Sequence, residues 1–431
     1  MPQRLFRVSL VLLLQLGLWA AWIPAAQALT DEQQFYNEAW RIVSRSYVDE
    51  TFNAQNWWTI RQKTLRQSLP DRETTYTAIQ KSLAVLGDPF TRLLRPDQYR
   101  NLQVTTSGEL TGVGLQIAKD PETGILRVIA PVQGSPAESA GIFPKDEILA
   151  INNISTVEMN LDDAAARMRG AIGSPVTLTV RRADPELSGS GQADATRSGA
   201  KPSEPLEIVV TRQRISLNPV VAALKRESGL PPIGYLQLSQ FNANAVEDFG
   251  RELRALDRQG AKGYILDLRN NPGGLLQAGV AISRMWIDDG PIVYTVDRRG
   301  VLENFWADGS VLTDAPLVVL VNGGTASASE ILAGALQDTG RGELVGERTF
   351  GKGLIQSLFE LSDGSGLAVT VAKYETPNHH DINKLGIQPD VEVKAPGLSS
   401  GLLATAQDPQ YKVALNRLAT RLTQPVVADA A

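Results

Sequence analysis

The chain has 431 residues, which at roughly 100–200 residues per domain predicts two to four domains. Hydrophobic residues at 43% and charged residues at 21% are ordinary for a folded protein and exclude large-scale disorder, while a net charge of −5 argues against a nucleic-acid surface. With no cysteine there is no thiol nucleophile, Cys-ligated zinc or disulfide, and with only His379 and His380 a histidine base or His-rich metal site is nearly excluded. Any catalysis falls to Ser, Lys, Asp, Glu, Tyr or backbone groups, and no metal or cofactor is expected.

In chain order, the first element reads as a targeting segment. Arg4 and Arg7 make a basic start, residues 8–23 are almost wholly apolar, and Ala26-Gln27-Ala28 supplies a small-residue cleavage site. Residues 1–28 are predicted to be a signal peptide, the alternative being an uncleaved anchor. No other long apolar run follows, so the chain after cleavage is expected to be soluble. Residues 29–103 read as a helical region, with Phe35, Ala39, Trp40, Ile42 and Val43 at helical spacing and Trp57, Trp58, Ile60 and Leu65 after them.

From Gly108 the period shortens to that of strands. Strand entries at 110–117, 126–131, 146–151 and 176–180 enclose helices opening at Ser135 and spanning 161–168, and strand character resumes at 206–210. Between them, 183–204 is a Gly/Ser/Ala/Asp-rich excursion. From 233 to 374 strands and helices alternate, which predicts an α/β core over 215–398. Residues 399–431 form a tail, helical from 411 to 422.

Three segments can carry chemistry. Asn322-Gly323-Gly324-Thr325-Ala326-Ser327-Ala328-Ser329-Glu330 follows an apolar strand and opens a helix. Unpaired N–H groups and a positive dipole end there stabilise developing negative charge, so Ser327 can be a nucleophile. The same letters fit S-x-x-E, in which Ser327 merely caps the helix. Lys352, between Gly351 and Gly353 at a strand edge, can be a base if burial lowers its pKa from ~10.4, or a surface lysine in a turn. Asp267-Leu268-Arg269-Asn270-Asn271-Pro272-Gly273-Gly274 can aim an N–H at an oxyanion, or be an ordinary strand-to-helix turn. Neither a P-loop nor a G-x-S-x-G elbow is present.

In order and spacing, these three segments resemble the carboxyl-terminal processing peptidases, exported serine proteases with a Ser/Lys dyad and an embedded PDZ domain. The resemblance runs from about residue 31 to 389. It implies a multidomain α+β chain: a helical N-terminal region, a β-rich PDZ domain at 104–214 and an α/β protease core. It implies Ser327 as nucleophile, Lys352 as general base, Gln356 as the residue orienting the lysine, and the N–H groups of Gly273 and Ala328 as oxyanion hole. Gly112-Val113-Gly114-Leu115 matches the PDZ carboxylate-binding loop, which would hold the C-terminus of a protein substrate while the peptide adds as a strand.

Geometry bears on two of these roles. The family pattern also has an acid at Asp338, but eleven residues from Ser327 it would sit about 16 Å along an unbroken helix and is read as structural. Gln356 is about 13 Å from Lys352 on a straight strand, so contact needs a bend or extended side chains. Arg169 either couples the PDZ domain to the active site or is a solvated helix-end arginine. Segments 325–356 and 364–377 look like the cyanobacterial and plastid branch, which matures the precursor of a photosystem II reaction-centre protein. That implies a thylakoid-lumen or periplasmic enzyme with a membrane-associated substrate. The alternatives are a paralogous exported protease with other substrates and a PDZ binding protein with a silent core.

Overall fold

A computed structural model describes residues 29–120, 123–132, 134–159, 161–182, 204–395 and 402–423. The expected signal peptide lies outside the described residues, as does nearly all of the 183–204 excursion. Contacts divide the chain into two units. Among the described residues, one holds those up to Pro96 with Gln356–Thr370, and the other holds those from Asp97 to Ile355 with those from Val371 onward.

The first unit is built on helices Asp31–Ser46, Trp57–Leu65 and Arg72–Ala84. Each starts at a residue whose side chain accepts an N–H of the first turn: Thr30, Asn56 and Asp71. The recurrence of Phe35, Tyr36, Ala39 and Val43 puts one apolar stripe inward, against Tyr76, Ile79 and Leu83. The expectation of an all-helical region is corrected at Arg92–Leu94. There a short strand buries Leu93 and Leu94 and pairs antiparallel with Gly366–Ala368. Asp363 anchors the returning segment, accepting from Tyr76 Oη at 2.6 Å and from Arg72 at 3.0 Å.

In the second unit, a ribbon of Glu109–Gly112 and Gln213–Ser216 frames the expected PDZ region. Its antiparallel sheet runs Leu115–Lys119, Leu126–Pro131, Glu147–Ile151, Pro175–Arg181, Leu206–Thr211. Helices Pro136–Ser139 and Leu161–Met168 accompany it. Alternation along the strands buries Val176, Leu178 and Val180 on one face, with Leu126, Val128, Ile148 and Ile151.

The core sheet runs Val220–Lys225, Ile233–Leu238, Gly263–Asp267, Leu317–Val321, Gly342–Gly346, Val391–Glu392. The first pair is antiparallel and the rest are parallel. The three central strands are buried throughout, which is why they read as unbroken apolar runs. Val319 and Val321 face helices Ala245–Arg258, Leu276–Arg284 and Ala328–Asp338, whereas Val318 and Leu320 face helix Pro409–Thr423. The strand Gly300–Trp306, which pairs back on Pro291–Asp297, has no counterpart among the predicted elements.

Candidate active site

The three chemistry-bearing segments follow three adjacent parallel strands at their C-terminal ends. The Asp267 segment leaves Gly263–Asp267, the Ser327 segment leaves Leu317–Val321, and the Lys352 segment leaves Gly342–Gly346. Ligands of open α/β sheets bind at such ends.

The first two loops are stitched together by hydrogen bonds. Thr325 Oγ1 donates to Leu268 O (2.9 Å), and both Ala326 N–H and Ser329 Oγ donate to Asn271 O (3.0 Å each). Asn270 N–H donates to Asn322 Oδ1, and Asn322 Nδ2 returns to Asn270 Oδ1 (2.9 Å each). Beneath the loop, buried Arg269 bonds both Asp267 and Asp408, and Tyr235 Oη donates to Asp267 Oδ2 at 2.8 Å. A buried guanidinium between two carboxylates holds the loop by charge-assisted bonds that loss of either partner would leave uncompensated.

Ser327 sits immediately before helix Ala328–Asp338 with φ 58° and ψ −119°, a region that a non-glycine residue occupies only when its surroundings enforce it. Ser327 N–H donates to Glu330 Oε2 at 2.9 Å, as in a capping box. Glu330 does more than cap. It is fully buried, and its carboxylate also accepts Thr349 Oγ1 (2.6 Å), Gly351 N–H (2.7 Å) and Lys352 N–H (2.9 Å). One carboxylate thus holds the backbone nitrogens of both Ser327 and Lys352. The S-x-x-E spacing signalled the first bond. Nothing in the sequence signalled the return of 349–352 to the same group.

Lys352 is half-buried between two buried glycines. Gly351 O accepts Lys384 N–H at 2.8 Å, and Thr349 exchanges two bonds with Ile387, so the segment after Ile382 packs along the lysine loop. Gln356 lies on strand Leu354–Glu360 in the first unit, where its Nε2 donates to Thr370 Oγ1 at 3.4 Å.

The two expected oxyanion donors differ. Among the described residues, Ala328 N–H meets no acceptor, as suits the first N–H of a helix. Gly273 N–H is already spent, donating to Asn271 Oδ1 at 2.9 Å. Yet Gly273 is packed on Ser327. Its φ is +93°, and a Cβ there would come within 2.6 Å of Ala326 O, 2.8 Å of Ser327 Cβ and 2.9 Å of Ala328 N.

At the expected carboxylate loop, Val113 and Gly114 lie between two strands, and their N–H groups meet no acceptor among the described residues. Their carbonyls are used: Val113 O accepts Ala137 N–H, and Gly114 O accepts Val132 N–H (2.9 Å each). Gly112 abuts Met168 and Arg169 at the end of helix Leu161–Met168, and Leu115 pairs with Pro131. Arg169 donates to Asn101 Oδ1 at 3.0 Å and lines a cavity of about 590 Å³ beside helix Pro96–Ser107. Asp338 accepts Asn378 N–H at 2.9 Å, a bond from the helix end to the loop beyond strand Gly366–Glu375. Among the described residues, no group of three or more His, Asp or Glu is placed to hold a metal ion.

A family model for peptidase family S41 matches residues 232–393, and one for the PDZ domain matches residues 127–182. The chain is 54% identical over 416 residues to a carboxyl-terminal-processing protease of Synechocystis sp., covering 96% of this chain and 93% of that protein. It is 44% identical to carboxyl-terminal-processing peptidase 2, chloroplastic, of Arabidopsis thaliana, covering 89% of this chain and 73% of that one. A solved structure named photosystem II D1 C-terminal processing protease is 41% identical, with a TM-score of 0.54 over 86% of this chain and 95% of its own.

Proposed function

We propose a reaction and a substrate from one premise: the chain belongs to peptidase family S41, among the carboxyl-terminal-processing proteases, and carries a PDZ domain. It is a serine peptidase that acts on protein substrates. In our reading Ser327 is the nucleophile and Lys352 its base. Neutral Lys352 takes the Ser327 hydroxyl proton as Oγ attacks the scissile carbonyl. The developing oxyanion is met by Ala328 N–H, and by Gly273 N–H once that donor turns from Asn271. The amine leaves with the proton, and water then hydrolyses the acyl-enzyme. The observation that carries this reading is the Glu330 carboxylate holding the backbone of both residues.

The proposed substrate is the precursor of a photosystem II reaction-centre protein, cleaved to remove its C-terminal extension. The similarity to a D1 C-terminal processing protease and to cyanobacterial relatives supports it. Residues 1–28 would export the enzyme to the thylakoid lumen or periplasm.

Ser327→Ala and Lys352→Arg should each remove nearly all cleavage of a peptide spanning the precursor's processing site, with the fold intact by circular dichroism. Arginine stays charged at any working pH and cannot act as a base. Ordinary turnover by purified Lys352→Arg protein would sink the lysine assignment. Removal of the gene should accumulate the unprocessed photosystem II precursor. Accumulation of a different precursor would overturn the substrate reading.

A further inference from the structure

Ser327 holds a backbone conformation that needs enforcement, and the Glu330 carboxylate grips only its N–H. Its carbonyl has a grip of a different kind. Tyr374 is buried near the end of strand Gly366–Glu375, and its hydroxyl lies 3.1 Å from Ser327 O. The same hydroxyl donates to Lys352 O. Tyr374 N–H donates to Gly353 O at 3.1 Å, so ring and backbone both hold the lysine loop. One phenol oxygen therefore touches the main chain of both residues proposed to do the chemistry, and the ring that carries it is buried.

We infer that Tyr374 is a positioning residue of the dyad: its hydroxyl joins the Ser327 and Lys352 carbonyls and fixes the spacing between nucleophile and base. This rests on the Ser327/Lys352 reading. Ser327 O already accepts the N–H groups of Glu330 (2.8 Å) and Ile331 (3.0 Å), so the phenol proton serves chiefly Lys352 O. Burial, with the facing Glu330 carboxylate, pushes the hydroxyl well above the usual tyrosine value. It therefore stays protonated and acts as a donor, not as a second base. Losing it leaves a lysine-loop carbonyl without that donor, which loosens the loop and spoils a geometry on which acylation depends steeply.

The test compares Tyr, Phe and 4-aminophenylalanine at position 374, the last introduced by nonsense suppression, with Ser327→Ala as control. Single-turnover acylation and steady-state cleavage of a short peptide are measured on folded protein. Tyr374→Phe should lower kcat on the order of 10- to 100-fold, with KM within about twofold, because the lost contact is to the dyad and not to substrate. The 4-aminophenylalanine protein keeps the ring and regains an N–H donor, so it should recover most of the acylation rate. A kcat near wild type in Tyr374→Phe would overturn the inference, and so would a donor-bearing variant as slow as phenylalanine. If Tyr374→Phe does not fold, the 4-aminophenylalanine protein decides alone: near-normal acylation supports positioning by a donor, and loss of acylation overturns it. Activity in Ser327→Ala would instead remove the dyad reading itself.

Discussion

At the scale of single residues, the site depends on positions where a side chain is forbidden as much as on those where one is required. Gly273 is the clearest case. Its positive φ is costly for any other residue, and its Cα faces the Ser327–Ala328 peptide so closely that a methyl group would overlap Ala326 O. Gly273→Ala must therefore push the loop away from Ser327 or displace that residue. The expected outcome is a loss of kcat of at least about 100-fold, the scale on which oxyanion donors act, with unfolding still cooperative. Kinetics on folded Gly273→Ala protein check it, and a kcat within tenfold of wild type would show that the glycine serves only the turn. Glu330 shows the limit of local reading. S-x-x-E licensed a helix cap, whereas the buried carboxylate also collects three donors from residues 349–352. A sequence window of four letters cannot register a loop that returns nineteen residues later.

At the scale of elements, the expected carboxylate loop between Glu109–Gly112 and Leu115–Lys119 offers the N–H groups of Val113 and Gly114 beside the end of helix Leu161–Met168. A free C-terminus there would make charge-assisted hydrogen bonds, each worth roughly 1.5–3 kcal/mol. Amidating a protein substrate's C-terminus should slow its processing about tenfold or more, while short peptides that reach Ser327 directly change little. Equal processing of amidated and free-carboxylate substrates would mean that this loop does not read the C-terminus. Gly114→Ala should mimic amidation, since a Cβ there would lie 2.3 Å from Ser135 Cβ at φ +79°. Element type was legible wherever burial was uniform or strictly periodic. The strand Leu317–Val321 and the helix Leu161–Met168 sit where their patterns put them. Arg92–Leu94 was not legible, because three residues carry no period and their pairing partner lies more than 270 residues away. Gly300–Trp306 was missed because its pairing with Pro291–Asp297 shifts register twice, which breaks the alternation that marks a strand.

At the scale of the whole molecule, stability should depend on pH through carboxylates that each unit uses as anchors. In the first unit, burial would raise Asp363, but hydrogen bonds from Ser365 and Tyr76 outweigh it and hold the carboxyl below its ordinary value. In the second, burial would likewise raise Asp408, yet the Arg269 hydrogen bonds and the Tyr411 N–H hold it low. A carboxyl depressed by folding favours the folded state fully above its unfolded pKa of ~3.9, and that contribution is lost as pH falls through the folded value. On the alkaline side, burial first and then nearby Asp88 push Tyr47 up to about 12, so its contribution fades as pH rises above roughly 10. Urea unfolding should therefore give near-constant stability between about pH 5 and 8 and a steep fall below about pH 4. Asp408→Asn isolates the second unit's share. At neutral pH it should be less stable than wild type, because Arg269 loses one of its two buried carboxylates. As pH falls below the unfolded value of ~3.9 and through the lowered folded value, the wild-type Asp408 becomes protonated and the two proteins should converge. A difference that stayed constant through the whole acid transition would show that Asp408 contributes shape and hydrogen bonds rather than charge, and would remove the Arg269 network as a source of that transition.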